Sequence, residues 1–215
     1  MPNEDRIVDC HAHIIDPARF PFTGKKGYHP RPDEHGTREE FCAVLDRHGV
    51  NNGVLVQLSG YGSDNSANLD AMKAYPGRFK AIAVIDQDAS DRALERLAAA
   101  GVVGVRDIAV GTRHAGFQAV LALGREGNAT VKLSSLFRVS HMLKGFDDLD
   151  PFLDELLKAF GVDHCIWGSD WPFINVPRRP SYADLMTPLS RWFPDPADRA
   201  RVLARNPRRL FGFGD

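Results

Sequence analysis

Two histidines near the N-terminus, His11 and His13, are spaced so that they can act together. They lie in an apolar run that predicts a first β-strand over residues 7–13, and side chains two positions apart on a strand point to the same face. Two imidazoles on one face can bind a metal ion or hold an anionic substrate. The spacing alone fits equally well with two histidines that only form hydrogen bonds at a strand end.

A carboxylate flanked by tryptophans near the C-terminus forms the second candidate. Asp170 lies in the segment WGSDWP, directly after an apolar run that predicts the last strand. In a parallel barrel the carboxyl ends of the strands carry the active site, and an aspartate there can be a general base or a metal ligand. A helix N-cap is the alternative role. Because the first and last strands of a closed barrel are neighbours, we expect Asp170 to share a pocket with His11 and His13.

Short apolar runs alternate with amphipathic stretches along the chain, which favours an α/β fold with a parallel sheet. We count six strands, each followed by a helix, in a single domain over residues 1–215. Thr37 and Glu40 form a capping box at the start of the first helix, and Asp150 with Pro151 predicts an N-cap and first turn. The predicted strands are residues 7–13, 53–58, 79–85, 102–106, 130–134 and 165–168.

The composition argues against several classes of partner. The formal net charge is −1 and the sequence has no basic stripe, so we expect neither a nucleic-acid partner nor a membrane-surface partner. No run of ~18 apolar residues is present to span a membrane. Three scattered cysteines without a CxxC motif suit a reducing compartment. We therefore predict a cytoplasmic protein.

Six segments in chain order resemble the amidohydrolase superfamily, and among its branches they are most similar to the one containing 2-pyrone-4,6-dicarboxylate lactonase. The resemblance implies a TIM-barrel hydrolase of esters, lactones or amides, here of a small carboxylated lactone or related ester. The segments are IVDCHAHI, VQLSGYGSDN, GVVGVR, VKLSSLFRVS, IWGSDWP and NPRRLFGF.

The same resemblance implies roles for individual residues. Asp170 would be the catalytic base, and His11 and His13 would be catalytic as metal ligands or as direct substrate contacts. With Asp170 as a third ligand, the site would hold one divalent ion such as zinc, or it would work without a metal. The implied contacts to substrate carboxylates, with Arg138 the weakest of them, are Tyr28, Ser59, Arg106 and Arg138.

The chain departs from the family pattern in its middle, where the histidines of the fifth and sixth strands are missing. Two βα units are absent, with the join near Arg106 and Asp107, so we predict a TIM-barrel-like fold shortened to about six strand–helix units. Six strands cannot close on an eight-strand plan without a change of register, and open strand edges favour a homo-oligomer or a split barrel plugged by loops. The loss leaves two alternatives to an enzyme: a non-catalytic binding or scaffold protein derived from such a hydrolase, or an altered gene product with little function.

Overall fold

The computed structural model describes residues 6–23, 28–86, 88–105 and 116–214, and this part of the chain contains six parallel β-strands. Four of them pair in chain order, and the last two pair with each other. The strands are β1 (Val8–Ala12), β2 (Asn52–Val56), β3 (Phe79–Ala83), β4 (Val102–Val105), β5 (Val131–Ser134) and β6 (Cys165–Gly168).

The two sheets meet where the chain continues beyond β1 and β6. Ala12 forms a parallel bridge with Trp171, and the backbone N–H of Asp170 donates to the carbonyl of His11. The strands therefore lie in the order β5–β6–β1–β2–β3–β4, with the first strand near the middle. This arrangement confirms the prediction of a parallel α/β fold of about six strand–helix units.

Helices follow the strands and cover the sheet. The capping box of Thr37 and Glu40 begins the first helix as predicted. No helix among the described residues has both the length and the apolar character needed to cross a bilayer. The helices are α1 (Arg38–Arg47), α2 (Ser66–Ala74), α3 (Asp91–Ala99), α4 (Gly116–Arg125), α5 (Leu136–Val139), α6 (Asp150–Phe160), α7 (Tyr182–Met186), α8 (Leu189–Trp192), α9 (Pro196–Ala200) and α10 (Asn206–Phe211), with a π-helical turn over Arg201–Arg205.

Asp150 is not the N-cap of α6, contrary to the sequence prediction. The helix begins at Asp150 itself, and its N-cap Leu149 provides no side-chain hydrogen bond. The Asp150 carboxylate instead accepts hydrogen bonds from the guanidinium of Arg191 and the indole N–H of Trp192. A cationic guanidinium and an indole N–H have thus replaced the neutral backbone donors of a helix N-terminus as the partners of this carboxylate, and a pair in which both groups are charged is the stronger one.

The outer edges of β4 and β5 have no strand partner among the described residues. Val103 and Val105 on β4 are 37% and 56% exposed, and none of the residues of α3 is buried. An amphipathic helix and an apolar strand normally bury one face. The apolar surface on this side of the sheet is what the loss of neighbouring βα units would leave. The predicted join at Arg106 and Asp107 lies outside the described residues.

Candidate functional site

A buried carboxylate holds the end of β6 against β1. The side chain of Asp9 on β1 accepts hydrogen bonds from the backbone N–H and the hydroxyl of Ser169, at 2.9 and 2.6 Å, and from the hydroxyl of Tyr182 at 2.8 Å. Burial raises the pKa of Asp9, while these hydrogen bonds lower it in part. These hydrogen bonds hold Asp170, the residue that follows Ser169, beside β1.

Gly168 permits the close approach of the two strands. A Cβ atom at this position would lie 2.6 Å from the Cβ and 2.7 Å from the backbone nitrogen of His11, which is too close for any side chain. The absence of a side chain at the end of β6 therefore lets the following loop reach the two histidines.

The structure brings His11, His13 and Asp170 together. The Nε2 atoms of His11 and His13 lie 3.8 and 3.2 Å from Oδ1 of Asp170, and the two rings are edge to face with centroids 5.1 Å apart. His13 and Asp170 are buried, and His11 is partly exposed. One ligand atom from each residue lies within 4.8 Å of the other two, which is compatible with a shared metal ion.

The second oxygen of Asp170 is held by residues that follow β5. Oδ2 accepts hydrogen bonds from the Ser135 hydroxyl and from Nε of Arg138, both at 2.8 Å. Burial alone would raise the pKa of Asp170, but the hydrogen bond and charge of His13, with the charges of His11 and Arg138, bring that pKa well below its ordinary value. Asp170 is therefore a carboxylate anion whose Oδ1 faces the imidazoles, and its side chain does not act as a helix cap.

Two residues of this group have left-handed backbone conformations, which are uncommon outside glycine. The φ angle is +64° at Asp170 and +60° at Ser135. Their side chains are joined by the hydrogen bond already described, so the contacts of the site hold both backbones in this conformation. Such conformations are often found at functional sites.

The hydrogen bonds of His13 fix the role of each of its ring nitrogens. Nδ1 lies 2.7 Å from the carbonyl oxygen of Val56, which can only accept, so Nδ1 carries a hydrogen. In the protonated ring, Nε2 donates to the Asp170 carboxylate, and this is the form that lowers the pKa of Asp170. In the neutral ring, Nε2 presents a lone pair instead, and two acceptors face each other at 3.2 Å. A divalent cation, or an additional proton, between these atoms would turn repulsion into attraction. The donor set of two imidazoles and a carboxylate also suits zinc, so the residues fit a metal.

The other ring nitrogen of His11 faces β5. The hydroxyl of Ser134 lies 3.4 Å from Nδ1 of His11. Metal-binding histidines usually have such a partner on the nitrogen that does not face the metal. Ser134 and the Val56 carbonyl occupy that position for the two histidines.

The residues predicted to contact the substrate carboxylates lie in different parts of the structure. Tyr28 donates its hydroxyl to the buried carboxylate of Glu34, and its backbone carbonyl lies against Gly60. Ser59 begins a short 3₁₀ turn beyond the carboxyl end of β2, the strand that provides the partner of His13. Arg138 contacts Asp170 and also donates to the carbonyl of Ile174. Arg106 lies outside the described residues.

Sequence reasoning missed four residues around the cluster. Asp9 carried a signal, because an acid within an apolar strand must find partners when it is buried. Ser134 and Ser135 follow an apolar run in the segment VKLSS, as Asp170 does in its own segment. Glu34, whose carboxylate accepts the backbone N–H of Asn175, stands in a polar loop without any local signal.

Comparison with known protein families gives one match that spans the chain in two parts. The family described as Amidohydrolase matches residues 8–113 and 107–213. Together these matches include both histidines and Asp170. Two overlapping partial matches are consistent with a family domain that has lost an internal portion.

Individual proteins that are similar to this chain also align with it, either across a long gap or over part of their length. A 4-sulfomuconolactone hydrolase of Rhizobium radiobacter is 26% identical over 270 aligned positions, covering 95% of this chain and 89% of the relative. Since the chain has only 215 residues, about 65 of those positions face gaps in it, which is roughly two βα units. A 2-pyrone-4,6-dicarboxylate hydrolase of Comamonas testosteroni is 35% identical over 100 residues, 46% of this chain and 32% of the relative.

A solved structure shows that the similarity also includes the fold. The structure of a protein from Pseudomonas putida, described as a putative 2-pyrone-4,6-dicarboxylic acid hydrolase, aligns with a TM-score of 0.78 at 21% identity and covers 98% of both chains. This match indicates a common TIM-barrel-type architecture.

Proposed function

This chain belongs to the amidohydrolase family, and we propose on that premise that it is a hydrolase of a small carboxylated lactone or related ester. The observation that carries the proposal is the group of His11, His13 and Asp170, held together at the carboxyl ends of β1 and β6. The names of the relatives support a lactone as the substrate. No observation favours a non-catalytic binding or scaffold role.

Asp170 is proposed to accept a proton from the attacking water through Oδ1. Its other oxygen is occupied by Ser135 and Arg138, so only Oδ1 faces the histidines. Because its pKa is low, the carboxylate stays ionised and holds a transferred proton weakly. A carboxylate of low pKa is a weak base toward ordinary water, so the attacking water would have to be made more acidic, as a bound divalent ion would do, before its proton passes through Asp170 to the ring oxygen as the lactone opens.

We propose that His11, His13 and Asp170 hold one divalent ion, with zinc the best fit to this donor set. Such an ion would polarise the lactone carbonyl and lower the pKa of a bound water. Ser134 and the Val56 carbonyl keep each Nε2 directed toward Asp170.

The substrate carboxylate is assigned to Tyr28, Ser59 and Arg106 in this proposal, and the hydroxyl of Tyr28 would leave Glu34, to which it now donates, to make that contact. Arg138 already donates from Nε to Asp170 and from Nη2 to the Ile174 carbonyl. We therefore give it mainly the role of positioning Asp170, with any substrate contact secondary.

Replacement of the base tests the hydrolase proposal. We expect Asp170→Asn to lower the rate of lactone hydrolysis about 10²–10⁴-fold, because the amide cannot accept the proton. The rate is measured by pH-stat titration over a panel of carboxylated lactones. Asp163→Asn is the matched control, because Asp163 lies in an exposed position and should keep the full rate. Equal rates for the wild-type protein and Asp170→Asn would refute the proposal.

Measurement of the metal content tests the proposed ion independently of catalytic activity. We expect the purified protein to carry about one equivalent of zinc or a similar divalent ion, measured by elemental mass spectrometry. His13→Asn should lose it, because the variant removes one of three ligands. The exposed His35→Asn should retain the metal. A metal-free wild-type protein that still hydrolyses lactones would show that the histidines act on the substrate directly.

A further inference from the structure

An apolar cavity lies beside β5. Its volume is about 350 Å³, within the range of small-molecule pockets. Helices α4 and α6 and the end of α8 contribute Phe117, Leu153, Leu156 and Trp192 to its wall. Among the described residues, the charged and hydroxyl side chains that line it are Lys132 and Ser134, both on β5.

The cavity passes along the outer edge of β5. Lys132 and Ser134 point to one face of the strand and Leu133 to the other, because successive side chains alternate. All three residues line the cavity, which is the pattern that a cavity extending around an edge of the strand produces. β6 pairs with one edge, which leaves the outer edge, where no strand pairs with β5 among the described residues.

Ser134 connects the cavity to the candidate site. Its hydroxyl lies 3.4 Å from Nδ1 of His11, and the other ring nitrogen of His11 faces Asp170. A molecule that fills the cavity therefore approaches the histidine cluster at the Ser134 end. An apolar pocket with a few polar groups at one end is the usual form of a site that binds a small molecule and orients it.

We propose that this cavity binds an alkyl or aryl arm of the substrate, with the lactone or ester group at the Ser134 end. The inference rests on the proposed function and narrows its substrate class to lactones that carry an apolar substituent. The cavity lies on the side of the sheet where two βα units are missing. The site for this substrate arm is therefore a consequence of the shortening of the chain.

A series of δ-lactones with unbranched alkyl chains from methyl to hexyl tests the proposal. We expect kcat/KM to rise by up to about fourfold per added methylene until the cavity is full, because each buried methylene contributes a similar transfer free energy. Leu156→Trp, which fills the cavity, should abolish this rise. Leu210→Trp is the matched control, because Leu210 is exposed and does not line the cavity.

Val139→Trp provides a second variant in case Leu156→Trp does not fold, which a thermal melt by circular dichroism would show. Val139 lines the cavity but is 66% exposed, so its replacement should narrow the entrance without disturbing the core. Binding is measured independently of turnover by saturation-transfer NMR with δ-nonalactone and Asp170→Asn. We expect saturation transfer from the protein to the alkyl protons of the lactone, and its loss when Val139→Trp is added.

The outcomes separate the two proposals. Hydrolysis of the lactones with no dependence on chain length, or the same dependence in Leu156→Trp and Val139→Trp, would overturn the cavity proposal and leave the hydrolase proposal standing. Saturation transfer without hydrolysis of any lactone would support the cavity and refute the hydrolase. A wild-type dimer in light scattering that both variants dissociate would also overturn the cavity proposal, because a second copy would then occupy it.

Discussion

Asp9 and Asp170 are buried carboxylates of the same chemical type in opposite electrostatic settings. Asp9 is surrounded by hydroxyl and backbone donors without a cation among them, and burial raises its pKa. Asp170 has Arg138 and two imidazoles beside it, and its pKa is lowered. This difference in environment supports a structural role for Asp9 and the chemical role that we propose for Asp170.

We expect Glu34 to make the free energy of unfolding depend on pH in the acidic range. Its carboxylate is fully buried, and burial alone would raise its pKa. Hydrogen bonds from Tyr28 and from the backbone N–H groups of Arg31 and Asn175 outweigh burial and lower that pKa from 4.5 to about 2. The folded state binds fewer protons than the unfolded state, so this stabilisation is complete above pH 4.5 and disappears as the pH falls through 2.

We therefore expect Glu34→Gln to flatten the loss of stability between pH 4.5 and 2, although the variant is less stable at neutral pH. Urea unfolding of both proteins at a series of pH values measures this difference. Exposed Glu40→Gln is the control and should keep the wild-type slope. An unchanged slope in Glu34→Gln would show that Glu34 does not carry the predicted linkage.

At the scale of elements, the sequence predicted what local patterns determine. Apolar runs located all six strands, and Thr37 with Glu40 located the start of α1. The cap at Asp150 was predicted wrongly, because its partners Arg191 and Trp192 come from a distant helix. Ser134 and Ser135 were missed for the same reason, since only the folded chain brings β5 next to His11 and Asp170.

The contact between β1 and β6 should not tolerate a side chain at Gly168. We expect Gly168→Ala to destabilise the protein by about 1–3 kcal/mol and to lower activity, because the added methyl group would displace His11. Gly104→Ala on β4 is the matched control, because the added group would meet only the end of the Ile82 side chain at 3.0 Å. Unfolding in urea and lactone assays measure both effects. Equal stability of the two variants would contradict the predicted close approach.

At the scale of the whole molecule, the open side between β4 and β5 distinguishes this chain from an eight-stranded plan. The family match and the parallel strands bear out the shortened TIM-barrel type. A homo-oligomer, a single domain over residues 1–215 and a cytoplasmic location remain predictions.

Hydrogen exchange should reveal the open edges. Backbone amides of β4 and β5 are expected to exchange faster than those of β2, which has a strand on each side. Mass spectrometry of peptides that cover residues 52–56, 102–105 and 131–134 measures this difference over a dilution series. Equal protection of all three strands at low protein concentration would show that the edges are covered within one chain.

The position of β1 has a consequence for synthesis on the ribosome. β1 to β4 can pair as they emerge, yet the first strand must keep its other side available until residues 165–171 have been translated. His11 and His13 can therefore contact Asp170 only after most of the chain has been translated. A nascent chain or fragment that stops before β6 would have both imidazoles without the carboxylate of the proposed centre.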